Sequence, residues 1–149
     1  MNQFTLSILA FIGGVFLAIQ GGLNAHLGVL LKNPLLASVV AFVSSSIFAI
    51  IIVASSIKTF PTINQLKDIP YYLWFTGGFF SVLGISIYYY TIPKLGVSTM
   101  ISFGLFGQLI FAVIAGHYGW FNLPVESISF KRVAGVVAMV TGIFLINWK

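Results

Sequence analysis

MNQFTLSILAFIGGVFLAIQGGLNAHLGVLL, residues 1–31, contains no aspartate, glutamate, lysine or arginine. It is the first of five such stretches, because the charged residues also leave 33–57, 69–93, 95–125 and 133–148 uncharged. Four of the five are longer than the ~20 residues with which an α-helix crosses a hydrocarbon layer about 30 Å thick. Across all 149 residues only 6% are charged and 59% are hydrophobic, and the mean hydropathy is +1.08. A soluble domain carries about a quarter charged residues, so the composition excludes a water-soluble fold and predicts an all-α integral membrane protein.

A transmembrane β-barrel is excluded by the same pattern, since barrel strands alternate apolar and polar residues over about ten positions and these runs are continuous. Helix is then the element that satisfies the backbone in lipid. The first stretch lacks a basic leader and stays apolar beyond a signal-peptide core, so it is expected to be retained as a span. No cysteine is present, which removes disulfides, thiol catalysis and cysteine-bound metals. The net charge of +5 predicts loops lying against anionic lipid rather than a nucleic-acid site.

Working outward, the first span is expected over 4–31, roughly 42 Å at 1.5 Å per residue. It must therefore tilt, bend at Gly13-Gly14 or Gly21-Gly22, or emerge from the bilayer. Lys32-Asn33-Pro34 breaks it and makes an antiparallel hairpin with span two, 35–57. In span two the hydroxyls of Ser44, Ser45 and Ser46 can return to carbonyls a turn earlier. The segment 58–70 reads as a loop. Span three, 71–92, starts on Tyr71, Tyr72 and Trp74, which suit an interfacial belt. A Pro93-Lys94 turn leads to span four, 97–116, in a second hairpin. His117 to Asn122 fits the headgroup region. The fifth span, 133–148, is short, and snorkelling of Lys131 and Arg132 with an anchor at Trp148-Lys149 covers the mismatch. The whole chain, 1–149, is read as a single transmembrane domain.

Five spans place the termini on opposite sides. With the amino terminus inside, Lys58, Lys67, Lys131 and Arg132 are cytoplasmic, against Lys32, Lys94 and Lys149 outside. So small a positive-inside difference allows insertion in both orientations. Many transporters pair two inverted repeats with the substrate site between them, and a five-span chain is the size of one repeat. An antiparallel dimer would restore the full architecture.

Gly13-Gly14, Gln20, Asn24, Leu27-Gly28, Asn33-Pro34-Leu35, Ala37-Ser38 and Phe42, taken in order, resemble the opening of the YdcZ-type small membrane proteins of the drug/metabolite transporter superfamily. Pro93-Lys94-Leu95-Gly96, Gly107-Gln108, His117-Tyr118-Gly119-Trp120-Phe121, Arg132, Gly135 and Gly142 extend the resemblance over nearly the whole chain. It implies a five-helix, half-sized exporter of a bacterial inner membrane, similar to one half of the ten-helix members. The chain departs from the pattern at Gly116, where similar proteins often have an acidic residue. The small multidrug exporters of the same superfamily use a glutamate buried in their first helix for proton exchange. No acidic residue lies inside any span here, so that mechanism does not carry over.

Polar side chains within a span are costly and make default site candidates. Gln20 and Asn24, four apart, share one helix face beside a glycine pair, and hydrogen bonding to a neighbouring helix is the structural reading of the same residues. Gln108, the amide of span four, faces Gln20 and Asn24 across a cavity if two chains pair antiparallel. Among Tyr88, Tyr89 and Tyr90, about 100° apart around a helix, Tyr88 or Tyr89 is expected to reach a cavity. Phe42 supplies a further aromatic wall. His26 and His117 are candidate proton relays. Neither has a carboxylate or second histidine at ligand spacing, so no metal and no cofactor is expected. Ala10, Gly14, Ala18 and Gly22 form a small-residue stripe for close helix packing, as do Gly135 and Gly142 on span five.

Catalysis finds no foothold, because Asp68 and Glu126 lie in loops and no nucleophile elbow, phosphate loop or zinc motif is present. Two functions stand. One is a secondary transporter of a small organic solute, working by alternating access as a homodimer, antiparallel, or as a heterodimer with a paired homologue. The other is a non-transporting subunit that packs against a partner membrane protein.

Overall fold

A three-residue turn sets the arrangement of the first two helices. In the computed structural model, which describes residues 2–122 and 124–148, helix α1 runs unbroken over Gln3–Leu30 and α2 over Pro34–Ser56. Asn33 serves both. Its N–H donates to the Gly28 carbonyl, closing α1, while its side-chain oxygen accepts from Leu35 N at 2.9 Å and Leu36 N at 3.3 Å, opening α2. Pro34 follows at the first helical position, where its missing N–H costs nothing. Lys32 takes the left-handed conformation this closure requires, with φ +53°.

The turn folds α2 back on α1 through small residues. A Cβ built at Gly28 would meet Ala37 Cβ and Pro34 Cα, both at 3.5 Å. The buried face of α1 is Gly21, Ala25 and Gly28, and that of α2 is Ala37, Ser38 and Ala41. Removing large side chains from both faces lets the backbones approach, which is how helices associate where lipid removes the hydrophobic drive.

A short helix α3, Ile63–Lys67, lies in the segment expected to be a loop. A reciprocal cap explains it: Thr62 N–H donates to Gln65 Oε1 at 2.8 Å, and Gln65 N–H to Thr62 Oγ1 at 3.4 Å. The third span opens with a 3-10 turn, Tyr71–Trp74, and continues as α4, Thr76–Leu95. Helix α4 passes through Pro93 and Lys94, where the sequence suggested a turn. Lys94 Nζ sits 3.5 Å above the Tyr90 ring, and the chain turns instead at Gly96, with φ +84° and ψ 156°. That backbone region is open essentially to glycine alone.

The chain divides into two compact units, 1–94 and 95–149. The interior of the first holds the small faces of α1 and α2 together with Ser86, Tyr89 and Ile92 of α4. The second contains α5, Val97–His117, a 3-10 turn, Trp120–Asn122, and α6, Phe130–Asn147. Helix α6 begins three residues before the uncharged stretch, because Ser129 caps it by accepting from Arg132 N at 3.3 Å. The basic pair Lys131 and Arg132 thus lies within its first turn. The anchor expected at Lys149 lies outside the described residues. Among the described residues, five helices are long and apolar enough to cross a membrane, and no strand occurs.

Two substitutions test these turns by thermal unfolding in detergent. Asn33→Ala should lower stability by about 1 kcal/mol through loss of the cap. Gly96→Ala should cost about 1–3 kcal/mol, whereas Gly84→Ala, inside α4 with nothing within 4 Å of the added methyl, should leave stability unchanged or raised.

Candidate functional site

Three polar side chains of the first unit meet between α1 and α4. Gln20 and Asn24 lie one turn apart on α1, and Asn24 Nδ2 donates to Gln20 Oε1 at 3.1 Å. The same Asn24 nitrogen donates to the Tyr89 hydroxyl at 3.0 Å. The hydroxyl in turn donates to Gln20 Oε1 at 3.3 Å. Three side chains thus close a ring of hydrogen bonds across two helices. Tyr89 is only 2% exposed, so its phenol depends on this ring for a partner.

Local structure places each member. Gly21 leaves room beside Gln20 for α4, since a Cβ there would lie 3.7 Å from Ile92 Cδ1. Ser86, Tyr89 and Ile92, three apart in sequence, form the inward face of α4. One turn along, Ser38 and Ser86 share a buried hydrogen bond of 2.9 Å. Ser38 gives its own proton to the Pro34 carbonyl at 3.0 Å, so Ser86 is the donor between them. Pro93 acts on the same helix: it has no N–H for the Tyr89 carbonyl a turn earlier. The buried tyrosine therefore stands at the point where the α4 ladder is interrupted.

Beside the ring lies a groove of about 580 Å³. Gln20 and Phe16 line it from α1, Phe42 and Ser45 from α2, and Ile85 and Tyr89 from α4, with Gly13, Leu17, Ile19, Leu23 and Ala41 completing the wall. Ser44 and Ser46 return their hydroxyls to Ala41 O and Phe42 O, while Ser45 faces the groove between them. The arrangement offers aromatic faces, an amide and a hydroxyl, and no charged side chain. Its chemistry is that of hydrogen bonding and stacking.

The structure thus brings Gln20, Asn24, Phe42 and Tyr89 together in the first unit. Tyr88 is half-buried elsewhere around α4 and Gln108 lies exposed on α5, in the second unit. His26 is exposed near the end of α1. His117 is half-buried, and its Nδ1 accepts from Ile128 N at 3.4 Å. Among the described residues no group of three metal-ligating side chains occurs. Of the first small-residue stripe, Ala10 and Gly14 are exposed, and Ala18 and Gly22 are half-buried. The stripe packed inside the unit is Gly21, Ala25 and Gly28, one position around the helix. Gly135 and Gly142 on α6 have nothing within 4 Å of an added Cβ.

Sequence reasoning missed Ser45, Ser38 and Ser86, whose roles depend on which serine faces a neighbouring helix. It also missed a second cavity, of about 380 Å³, in the second unit. Phe111, Ala115, Gly116, Trp120, Phe121 and Glu126 are among its lining residues. The connection around it is clamped by Arg132, whose Nη1 donates to the Glu126 carbonyl at 2.6 Å and whose Nη2 pairs with the Glu126 carboxylate at 2.7 Å. Glu126 N–H donates to the Gly116 carbonyl at 2.8 Å, and Phe121 is held in a left-handed conformation with φ +63°. Gly119 beside a run of aromatics is the only sequence signal for so tight a connection.

The family model described as "Putative inner membrane exporter, YdcZ" matches residues 5–145. No curated protein and no solved structure matches the chain.

The ring is testable by a double-mutant cycle on purified protein in lipid bicelles. Asn24→Ala and Tyr89→Phe should each destabilise by about 0.6–1.7 kcal/mol, from the average to the largest value for polar contacts between helices in lipid. The double variant should lose less than the sum, because each single change already opens the ring. Full additivity would show that the two residues do not interact.

Proposed function

Because the chain belongs to the family described as "Putative inner membrane exporter, YdcZ", we propose that it carries a small, uncharged organic solute across the bacterial plasma membrane by alternating access. The observation that carries this reading is the ring of Gln20, Asn24 and Tyr89 beside an aromatic groove. Amides and a phenol are retained inside an apolar helix bundle, where they are expensive, and two of the three also face a space that a solute can fill. The polarity of the solute follows from the lining. With no acid or base in the groove, a strong ion would be desolvated without a counter-charge, whereas a neutral body with polar edges exchanges water for the amide, the hydroxyl and the rings.

One chain supplies half of an inverted-repeat transporter on this reading. Two copies inserted in opposite orientations, or one copy with a paired homologue, form the complete pathway, with Gln108 of α5 contributing a second amide to it. The near-equal distribution of Lys and Arg between the two sides supports insertion both ways. Ala10, Gly14, Gly135 and Gly142 then supply surfaces on which two copies pack closely. Flux that does not respond to a proton gradient would leave His26 and His117 as interfacial residues rather than relays.

A non-transporting subunit would use the same glycine faces to hold a partner protein, but would have no need of a polar ring beside a groove. The two readings separate in proteoliposomes containing the purified chain. The transporter reading predicts solute flux that Asn24→Ala and Gln108→Ala each reduce at least tenfold in protein that still folds. Undiminished flux in both variants would remove these residues from the pathway. Reporters fused to the carboxyl terminus should show both orientations, and a single fixed orientation without a paired homologue would remove the antiparallel homodimer.

A further inference from the structure

The hydrogen-bond accounting of the ring fixes what the groove offers a ligand. Gln20 Oε1 accepts from Asn24 Nδ2 and from the Tyr89 hydroxyl, which occupies both lone pairs of that carbonyl oxygen. The Tyr89 proton is committed, and the Tyr89 oxygen already accepts from Asn24. What Gln20 retains is its Nε2, with two N–H groups that nothing accepts from among the described residues. Turning the Gln20 amide by itself would set its nitrogen against Asn24 Nδ2, donor against donor. The residue that lines the groove therefore presents hydrogen-bond donors to it.

We infer that the groove selects solutes by their hydrogen-bond acceptors: its ligand is an uncharged, flat, largely apolar molecule bearing a carbonyl or equivalent acceptor, and Gln20 is the residue that reads it. The inference rests on the reading of the groove as the solute site. Phe16 and Phe42 receive the apolar body, and the Ser45 hydroxyl, which can donate or accept, adds a second polar contact without changing the preference. A solute that offers only an N–H donor leaves the Gln20 donors unpaired when it displaces water. That loss is larger than the gain from a neutral hydrogen bond, which is why a site built from donors rejects the wrong edge. Asn24 and Tyr89 are positioning residues in this scheme, because they hold the Gln20 oxygen and so aim its nitrogen.

Three rigid tricyclic probes of nearly the same shape separate the possibilities: 9-fluorenone has an acceptor and no donor, carbazole a donor, and fluorene neither. Binding is measured to the full chain in lipid nanodiscs, with partition into empty nanodiscs subtracted. Fluorenone should bind about tenfold more tightly than fluorene, the factor that one hydrogen bond supplies, and carbazole no better than fluorene. In Gln20→Met, of similar length without a donor, the fluorenone preference should vanish while fluorene binding persists. The ranking on the unaltered chain decides the matter even if that variant fails to fold. Equal binding of all three, weakened together by Gly13→Phe, would overturn acceptor selection and leave the groove as the solute site. A preference for carbazole would mean that the groove reads donors, through reversed amides or through the Ser45 hydroxyl, and would overturn it too. No saturable binding of any probe would overturn both the selection and the site.

Discussion

A tyrosine hydroxyl buried between apolar helices must find a partner inside the protein, and this requirement organises the first unit. Water is absent from the hydrocarbon layer, so an unpaired phenol would carry its full desolvation penalty. Tyr89 meets the requirement with Asn24 and Gln20, and that pairing sets which face of α4 looks toward α1. The remaining contacts follow from the same rotation: Ile92 over Gly21, and Ser86 against Ser38. The individual bonds are weak, about 0.6 kcal/mol on average for polar contacts between helices in lipid. Their effect is to exclude rotations of α4 that would strand the phenol, so they specify the arrangement more than they stabilise it.

Small residues make the pairing geometrically available. The stripe Gly21, Ala25 and Gly28 and its counterpart Ala37, Ser38 and Ala41 bring α1 and α2 together near their shared turn. Gly13 and Gly14, farther along α1, have nothing within 4 Å of an added Cβ. The helix is thus packed where it meets the turn and open toward its start, and the groove with Phe16, Gln20 and Phe42 lies along it. Asn33 reaches the site through this geometry, since the turn it closes fixes the register of α1 against α2.

The membrane-spanning helices and their number were legible in the sequence because charge in lipid is so costly that its placement alone delimits the spans. Boundaries were less legible where local chemistry outweighs that pattern. Ser129 draws α6 back over Lys131 and Arg132, α4 continues through Pro93 until Gly96 turns the chain, and the Thr62–Gln65 cap builds a helix within a loop. The cap was readable in principle, as threonine followed three residues later by glutamine. In the site, Gln20 and Asn24 could be paired from their spacing, and Tyr89 could be narrowed to one of two tyrosines. Which tyrosine meets them, and which serine faces the groove, depends on the rotation of α4 and α2. A helix that is apolar all round carries no periodicity from which that rotation can be read. The same ambiguity hid the packed glycine stripe, one position away from an equally regular one.

The central claim is that α1 and α4 meet at the Gln20, Asn24 and Tyr89 ring, and it can be tested without disturbing the ring. The chain has no cysteine, so a single introduced pair reports alone. Gly21→Cys combined with Ile92→Cys in native membranes is predicted to be cross-linked within one chain by a short bifunctional thiol reagent, because a Cβ at Gly21 lies 3.7 Å from Ile92 Cδ1 while the α1 and α4 backbones stand too far apart for a direct disulfide. No cross-link, with both thiols still reactive toward a membrane-permeant maleimide, would contradict it.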